Sequence, residues 1–428
     1  MCKLSPLSIA LAASLAANPV SVLAEEQTTD KAEDLEVMVI TTKVEKPLKD
    51  VAGSISVFSA DDIDFQAITD LSQLFRYDPS VRVTGTVGGA QNIVVRGMGS
   101  DRILIIKDGM WVNEGYGADG ANDIVGRGFI DMDTVKRVEV AKGAASSLYG
   151  SDALGGIAIF VTKDASDYLA DGEAFAGRVK AGYTDAGDQA NLSATLAAET
   201  GDIEHLLTLT NRDGNEVQNY HGTRPELDIE STSAMYKARF NLDAKSFISL
   251  TADYYQQETT GKSANALLGP FRTLADFGYQ IVDENSNSQK ENTSLQLRYH
   301  TDNATPLYDV LNASVYVNDT EQTDIEYGFL DINAPMFGTV EQRDMWETGV
   351  FDQKTIGFIS NASKTINDTH TIGYGLDIEN SEASRTSEKL YSVDGTPKTG
   401  YPLVDDKFPT TDVKRAGLFL NDEIAISD

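Results

Sequence analysis

The fold class this sequence predicts is a small α+β domain followed by an antiparallel transmembrane β-barrel, in an exported chain. Three observations carry that expectation. The first residues are laid out as a secretory signal. No later run is apolar and unbroken for long enough to be a membrane helix. From about residue 173 onward, hydrophobic and polar residues alternate over many short segments.

The opening MCKLSPLSIALAASLAANPVSVLAEEQ has Lys3, a short apolar run from Leu7 to Ala17, and a small-residue cleavage site at Val22-Leu23-Ala24. A signal peptide over 1–24 follows, with the mature chain starting near Glu25. Cys2 is the only cysteine and leaves with the signal, so disulfides, thiolate metal sites and cysteine nucleophiles are excluded. The chain carries 66 Asp and Glu against 35 Lys and Arg, a net charge of −31. Nucleic acid, whose phosphates demand a basic surface, is therefore not a partner.

Residues 25–47 read as a flexible tail that begins with the charge run EEQTTDKAED. Its later part, LEVMVITTKVEKP, has an extended core from Glu36 to Thr42, and Pro47 blocks continuation into a helix. Such a segment can pair with the free edge of a partner sheet, or it can be the first strand of the next domain.

Residues 48–165 read as one mixed unit. SISVF (54–58) is a strand, and Ser59 before an acidic turn starts a helix with Ile63, Ile68, Leu71 and Leu74 at helical spacings. QNIVVRGMG (91–99) is a strand running into a glycine turn. RILIIKDGMWVN (102–113) is a hairpin with Lys107-Asp108-Gly109 at its bend. In VKRVEVAKGAASSLYGSDALGGIAIFVTK (135–163) two β-branched runs flank a Gly, Ala and Ser stretch. It is not a phosphate loop, because Gly143 and Gly150 are wrongly spaced and Ser151-Asp152 stands where a lysine is needed. Compact turns between strands are the plainer reading.

Residues 173–428 read as barrel. In HTIGYGLDIEN (370–380), Ile372, Tyr374, Leu376 and Ile378 share one face while Gly373, Gly375 and Asp377 share the other. Short links at 199–203, 243–246, 301–306 and 365–369 alternate with long polar stretches near 212–232, 257–291, 321–351 and 381–411. Sorting of loop length by side is the mark of a membrane barrel. The count is about ten strands of roughly nine to eleven residues.

The order signal, loose strand-forming box, glycine-rich α/β unit and barrel strands resembles the TonB-dependent outer-membrane receptors. EVMVITT, residues Glu36, Val37, Met38, Val39, Ile40, Thr41 and Thr42, resembles the box that the periplasmic protein TonB engages. SISVFSADDI, NIVVRGMGSDRILIIKDGMWVN and 135–163 are similar to successive blocks of the family's plug domain. The resemblance implies a plug at 48–165 inside a Gram-negative outer-membrane barrel, with Gly143, Gly150, Gly155 and Gly156 at close backbone passages. It implies active import and no enzyme, no catalytic cofactor and no resident metal. FIDMDTVKRVEV and FVTKDASDYL resemble the haem, haemoglobin and transferrin/lactoferrin branch, which makes haem, free or from a haem protein, the implied cargo. A ferric siderophore is the alternative cargo, and a passive pore or adhesin barrel is the alternative from another class.

By the same resemblance Arg96, Arg137 and Glu139 fall where the family pairs plug charges with the barrel wall; exposed surface charge is the plainer alternative. No histidine occurs in 25–204, so the plug offers none as an axial ligand. His221, in the first long outer loop, and Tyr116, in the plug segment NEGYGADG, are the candidate haem contacts, each with simple solvation as its alternative. His205, His300 and His370 sit at strand ends and read as structural. About ten strands of the family's roughly twenty-two fit after the plug, which implies a truncated chain.

Overall fold

The computed structural model describes residues 38–39, 43, 46–48, 51, 53–87, 91–99, 102–113, 130–143, 146–150, 153–218, 226–262, 267–367 and 369–424. The expected signal peptide, the box residues Glu36, Val37, Ile40, Thr41 and Thr42, and both Tyr116 and His221 lie outside the described residues. Of the box, the backbone of Met38 and Val39 forms β1 (Met38–Val39), paired antiparallel with β2 (Lys46–Pro47).

The first unit begins with β3 (Ile55–Ser59). Ser59 then caps a helix as its sequence foretold: its hydroxyl accepts from the Asp62 amide at 3.2 Å, and the Asp62 carboxylate accepts from the Ser59 amide at 2.9 Å. The expected single helix is two. Helix α1 (Ala60–Phe65) stops where Ala67 takes a φ of +51°, and Asp70 caps α2 (Leu71–Leu74) through the Ser72 amide at 2.7 Å. The break reorients the chain so that Ile63, Ile68, Leu71 and Leu74 all reach one core, with Ile93, Val95, Val138, Val140 and Phe160. Helical spacing foresaw the burial, and the second cap at Asp70 ended the helix early.

Next come a separate hairpin, β4 (Val81–Gly85) with β5 (Gln91–Val95), then β6 (Ile103–Lys107), β7 (Met110–Trp111), β8 (Val135–Lys142) and β9 (Gly156–Thr162). The larger sheet has the order β3-β8-β9-β6-β7, antiparallel except that β6 runs parallel to β9. Asp108 and Gly109 both have positive φ, +48° and +88°, as a tight two-residue hairpin turn requires.

Gly156 is the closest passage of the glycine-rich run. Its φ is +153°, and a Cβ there would lie 2.6 Å from the Ala141 carbonyl oxygen across the β8–β9 ladder. Gly150 also has a positive φ, +84°, but faces open space. Gly156→Ala is therefore expected to cost roughly 2–3 kcal/mol, combining strain and clash, and Gly150→Ala about 1 kcal/mol from strain alone. Urea unfolding of the two variants, followed by plug fluorescence from Trp111, checks the difference.

The second unit is an eleven-stranded antiparallel sheet. Its long strands are β10 (Phe175–Thr184), β11 (Gln189–Thr200), β12 (Ile203–Asn215), β13 (Glu226–Asp243), β14 (Ser246–Lys262), β15 (Tyr279–Thr301), β16 (Val310–Ala334), β17 (Thr339–Ile366), β18 (His370–Val393) and β20 (Leu403–Ile424), with a two-residue β19 (Thr396–Pro397). Each long strand pairs with the next in sequence, save that β18 takes β20. Among the described residues β10 and β20 do not pair, so the barrel wall is open there.

The ten long strands agree with the count from sequence, and the four short links are turns at one end. Strand length does not agree. The strands grow from 10 residues in β10 to 28 in β17, and most of the polar stretches expected as loops, 257–291, 321–351 and 381–411, are strand. Two outer connections, 185–188 and 335–338, are as short as the inner turns. The physical reason is that a strand standing above the lipid has water on its outer face. Ladder hydrogen bonds then hold it with no apolar alternation to announce it.

Register makes the lipid band explicit. Leu250, Leu297, Val315, Phe358 and Ile378 lie side by side on the outer face of five successive strands. Six residues toward the outer end, Glu291, Glu321 and Asp352 are likewise side by side, closing the apolar band with carboxylates. The opposite, inward face carries buried Thr195, Thr208, Ser233, Thr251, Gln296, Thr320 and Thr355. Polar side chains in that position need polar partners: Thr195 and Thr208 bond each other, and the first unit supplies them to Ser233, Gln296, Thr320 and Thr355.

Candidate functional site

The contacts between the two units start at the Lys107-Asp108-Gly109 bend. Lys107 and Asp253 of β14 are both buried and form an ion pair at 2.6 Å. The Asp108 carboxylate accepts from the amide and hydroxyl of Thr162, at 2.9 and 2.5 Å, while Gln296 of β15 donates to its carbonyl at 2.9 Å. Burial would raise the Asp108 carboxyl, but the nearby Lys237 ammonium and the Thr162 hydrogen bonds outweigh it and hold the pKa below the usual value. Lys237 of β13 in turn donates to Thr162 at 2.7 Å and pairs with Asp164 at 3.0 Å.

A second clasp is acidic on the α+β side and basic on the wall. Asp131 and Asp133, buried around Met132 just before β8, receive Arg212 of β12, which reaches Asp133 at 2.7 Å. The Ser233 hydroxyl also donates to Asp131. Lys180 of β10 bridges Asp133 at 2.8 Å and Asp64 at 3.1 Å, and Arg178 joins Asp64 at 2.8 Å. Burial of Asp131 pushes its carboxyl up, yet the Arg212 charge and the hydroxyl donors prevail and bring its pKa down to about 2. Asp64 is shifted the same way, burial being overcome by Arg178, Lys163 and Lys180.

The third clasp is neutral. Asn113, buried after β7, donates to the Gln353 carbonyl at 3.0 Å and the Thr320 hydroxyl at 3.1 Å, and accepts from the Thr355 hydroxyl at 2.8 Å. One amide thus grips β16 and β17 together. Finally Lys43, just past the box, pairs with Asp377 of β18 and lies over the Tyr149 and Phe419 rings at 4.8 and 4.5 Å. Strands β10 to β20 therefore wrap the α+β unit from several sides, and it sits within their curve.

Of the residues singled out in the sequence, Arg137 and Glu139 bond to each other along β8 at 2.9 Å, and Arg96 donates to the Lys142 carbonyl at 3.0 Å. Charges seen to bridge to the wall include Lys43, Asp64, Lys107, Asp131, Asp133 and Asp164, which sequence reasoning passed over. The available signal was DMD inside an otherwise apolar FIDMDTV run: two carboxylates where burial is expected must have cations to meet. His205, His300 and His370 bond to Tyr236, Asn312 and Asp422, each at 2.8 Å, near the ends of barrel strands.

Above the clasps a cleft opens between the α+β unit and the upper wall. Thr69, Asp70 and Gln91 line one side; Arg212, Tyr255, Gln257 and Lys290 line the other. Gln257 holds the Val87 carbonyl at 3.0 Å, pinning the lip of the 84–92 loop to the wall. The cleft mixes amides and a phenol with the cations Arg212 and Lys290 and the carboxylates Asp70 and Asp213, Arg212 being already held by Asp131 and Asp133. No group of three or more metal-binding side chains occurs among the described residues.

Residues 47–157 match the family model described as the TonB-dependent receptor plug domain. Over those residues the sequence is that of such a plug. The receptor is 27% identical over 432 residues to a hemin receptor of Yersinia enterocolitica, covering 99% of this chain and 56% of that one. It is 30% identical over 285 residues to haemoglobin and haemoglobin-haptoglobin-binding protein B of Haemophilus influenzae, covering 60% of this chain and 26% of that one. The chain thus spans about half, or less, of the curated relatives' length. Among solved structures, a double mutant of the Serratia marcescens hemophore receptor HasR superposes with a TM-score of 0.54 at 18% identity, covering 87% of this chain and 60% of that one. The receptor's place is the outer membrane, where the outward apolar row meets lipid and the plug fills the wall's curve.

Proposed function

We propose that this receptor imports haem, free or taken from a haem protein, by transport energised through TonB. The observation that carries the reading is the plug clasped within the curve of a lipid-facing strand wall, with the box-bearing segment tied to it at Lys43. Similarity to a hemin receptor along 99% of the chain supports haem as the cargo. Lys290 in the cleft is suited to a propionate of haem, and His221 and Tyr116 are the proposed iron or stacking contacts. Arg96, Arg137 and Glu139 are proposed to steady the plug, and residues 36–42 to take up TonB as an added strand. No bond of the cargo is made or broken, so no catalytic group is called for. Hemin titrated into the purified receptor is expected to shift its Soret band, and His221→Ala to weaken binding about tenfold. A receptor that leaves the Soret band of hemin unmoved, and binds a ferric siderophore instead, would overturn the haem reading.

A further inference from the structure

Basic side chains run down the inward face of β10 to β15. From the cleft toward the inner turns come Arg212, Lys180 and Lys237, met by the plug carboxylates Asp131, Asp133 and Asp164. Register continues the series. The inward row below Lys237, Thr251 and Gln296 is Arg239, Ser249 and Arg298, side by side on β13, β14 and β15. Two strand spacings set the backbones of the two arginines about 10 Å apart. One row lower, Phe247 has the Arg239 guanidinium 4.0 Å from its ring centroid and the His300 ring stacked on it at 4.8 Å.

This last row of cations is not covered. Among the described residues no hydrogen bond or ion pair joins Arg239 or Arg298 to the plug or to a carboxylate. Arg239 donates to the Asn241 amide oxygen at 3.0 Å, and Arg298 to that of Asn312 at 2.7 Å. The carboxylates nearby are engaged elsewhere. Glu204, across the ladder from Arg239, accepts from Asn241 at 2.7 Å, and Asp302 lies 3.2 Å from His300. Asp243, on the turn, accepts from the Lys245 amide and Asn303, and Asp253 above is taken by Lys107. Two guanidiniums held only by neutral amides are unusual in a chain of net charge −31. Lipid headgroups do not account for them, because they face the inside of the wall.

We propose that Arg239, Arg298 and Phe247 form an exit-side binding site for a flat aromatic dianion. The two guanidiniums take its two carboxylates, and Phe247 takes the edge of its ring system. The row lies one step below Gln296, which holds the Asp108 carbonyl at 2.9 Å, so the site opens just beneath the plug bend. Cations higher on this face stay covered by plug carboxylates until the plug moves, whereas these two are always ready. The inference rests on the import reading above and adds a place where the cargo is held before it leaves the inner end of the wall.

The test titrates detergent-solubilised receptor, both mouths accessible, with hemin and separately with hemin dimethyl ester, whose carboxylates are masked. Wild type is expected to bind hemin in two phases and the ester without the weaker one. Arg239→Gln/Arg298→Gln is expected to weaken that second phase about tenfold or more while the first stays within about twofold. Arg239→Lys/Arg298→Lys, which keeps the charge, is expected to hold the second phase within about threefold of wild type. A single hemin phase in wild type, a second phase that survives in the glutamine pair, or equal loss in the lysine pair overturns the exit site and leaves haem import standing. Failure of wild type to bind hemin at all overturns the import reading itself.

Discussion

Arg212→Ala is expected to loosen the plug by about 3 kcal/mol or more. Arg212 meets Asp131 and Asp133, both buried, and Asp133 keeps Lys180 at 2.8 Å when the guanidinium is gone. Asp131 keeps only neutral donors. Removing one partner of a buried pair strands the other charge, which costs more than the pair contributed. Adding Asp131→Asn should therefore recover most of the loss, since the amide needs no counter-charge. Limited trypsin digestion of the plug in detergent-solubilised receptor reads both: fast cleavage in the single variant, slow in the double. Cleavage as slow as wild type in Arg212→Ala would show that the clasp does not hold the plug.

Acid gives the same clasp a second signature. The Asp131 carboxyl is held down from 3.8 to about 2 by Arg212 despite burial, so its contribution is fully present above about pH 4 and is lost as pH falls through 2. That shift corresponds to about 2 kcal/mol. In Arg212→Ala the sign reverses. Burial then raises the carboxyl, so the stranded charge costs stability at neutral pH and protonation relieves it. Wild type should thus become more protease-sensitive between pH 4 and 2, and the variant less so between pH 7 and 4.

What sequence foretold and what it did not divide along one physical line. Ser59 as a cap, the Asp108-Gly109 bend and the glycine at 156 were legible because a local backbone conformation demands those residue types. Barrel strands near the lipid were legible for a similar reason, as Ile372, Tyr374, Leu376 and Ile378 must all face hydrocarbon. Above the band that demand ends, and the upper reaches of β15 to β18 passed for loops. The parallel pairing of β6 with β9 joins residues more than fifty apart and leaves no local trace. The clasps were hidden for the same cause. Nothing near Arg212 in NRDGN distinguishes a cation bound for Asp131 from one bound for water, and the pairing exists only once the plug is inside the wall. His221 and Tyr116, the proposed ligand contacts, fall outside the described residues.

Deleting residues 36–42 is expected to abolish hemin uptake by energised cells while leaving hemin binding unchanged. Met38 and Val39 are paired with Pro47 and Lys46 over only two residues, and so short a ladder is marginal by itself. A partner strand can displace it at little cost, replacing its hydrogen bonds by others of the same kind. A pull applied there next meets Lys43, which Asp377, Tyr149 and Phe419 grip, and only after that the plug sheet, where β3 is the outermost strand. Force thus arrives at an edge that can peel from β8 without first breaking the clasps at Lys107 and Asp131. None of residues 36–42 lines the cleft, so its lining is kept in the deletion and affinity for hemin has no reason to change. Growth of a haem-requiring strain on hemin, with and without the box, reads uptake, and the Soret band of isolated membranes reads binding. Uptake that persists without the box would make the barrel a passive pore, and the plug a fixed constriction with no part in gating.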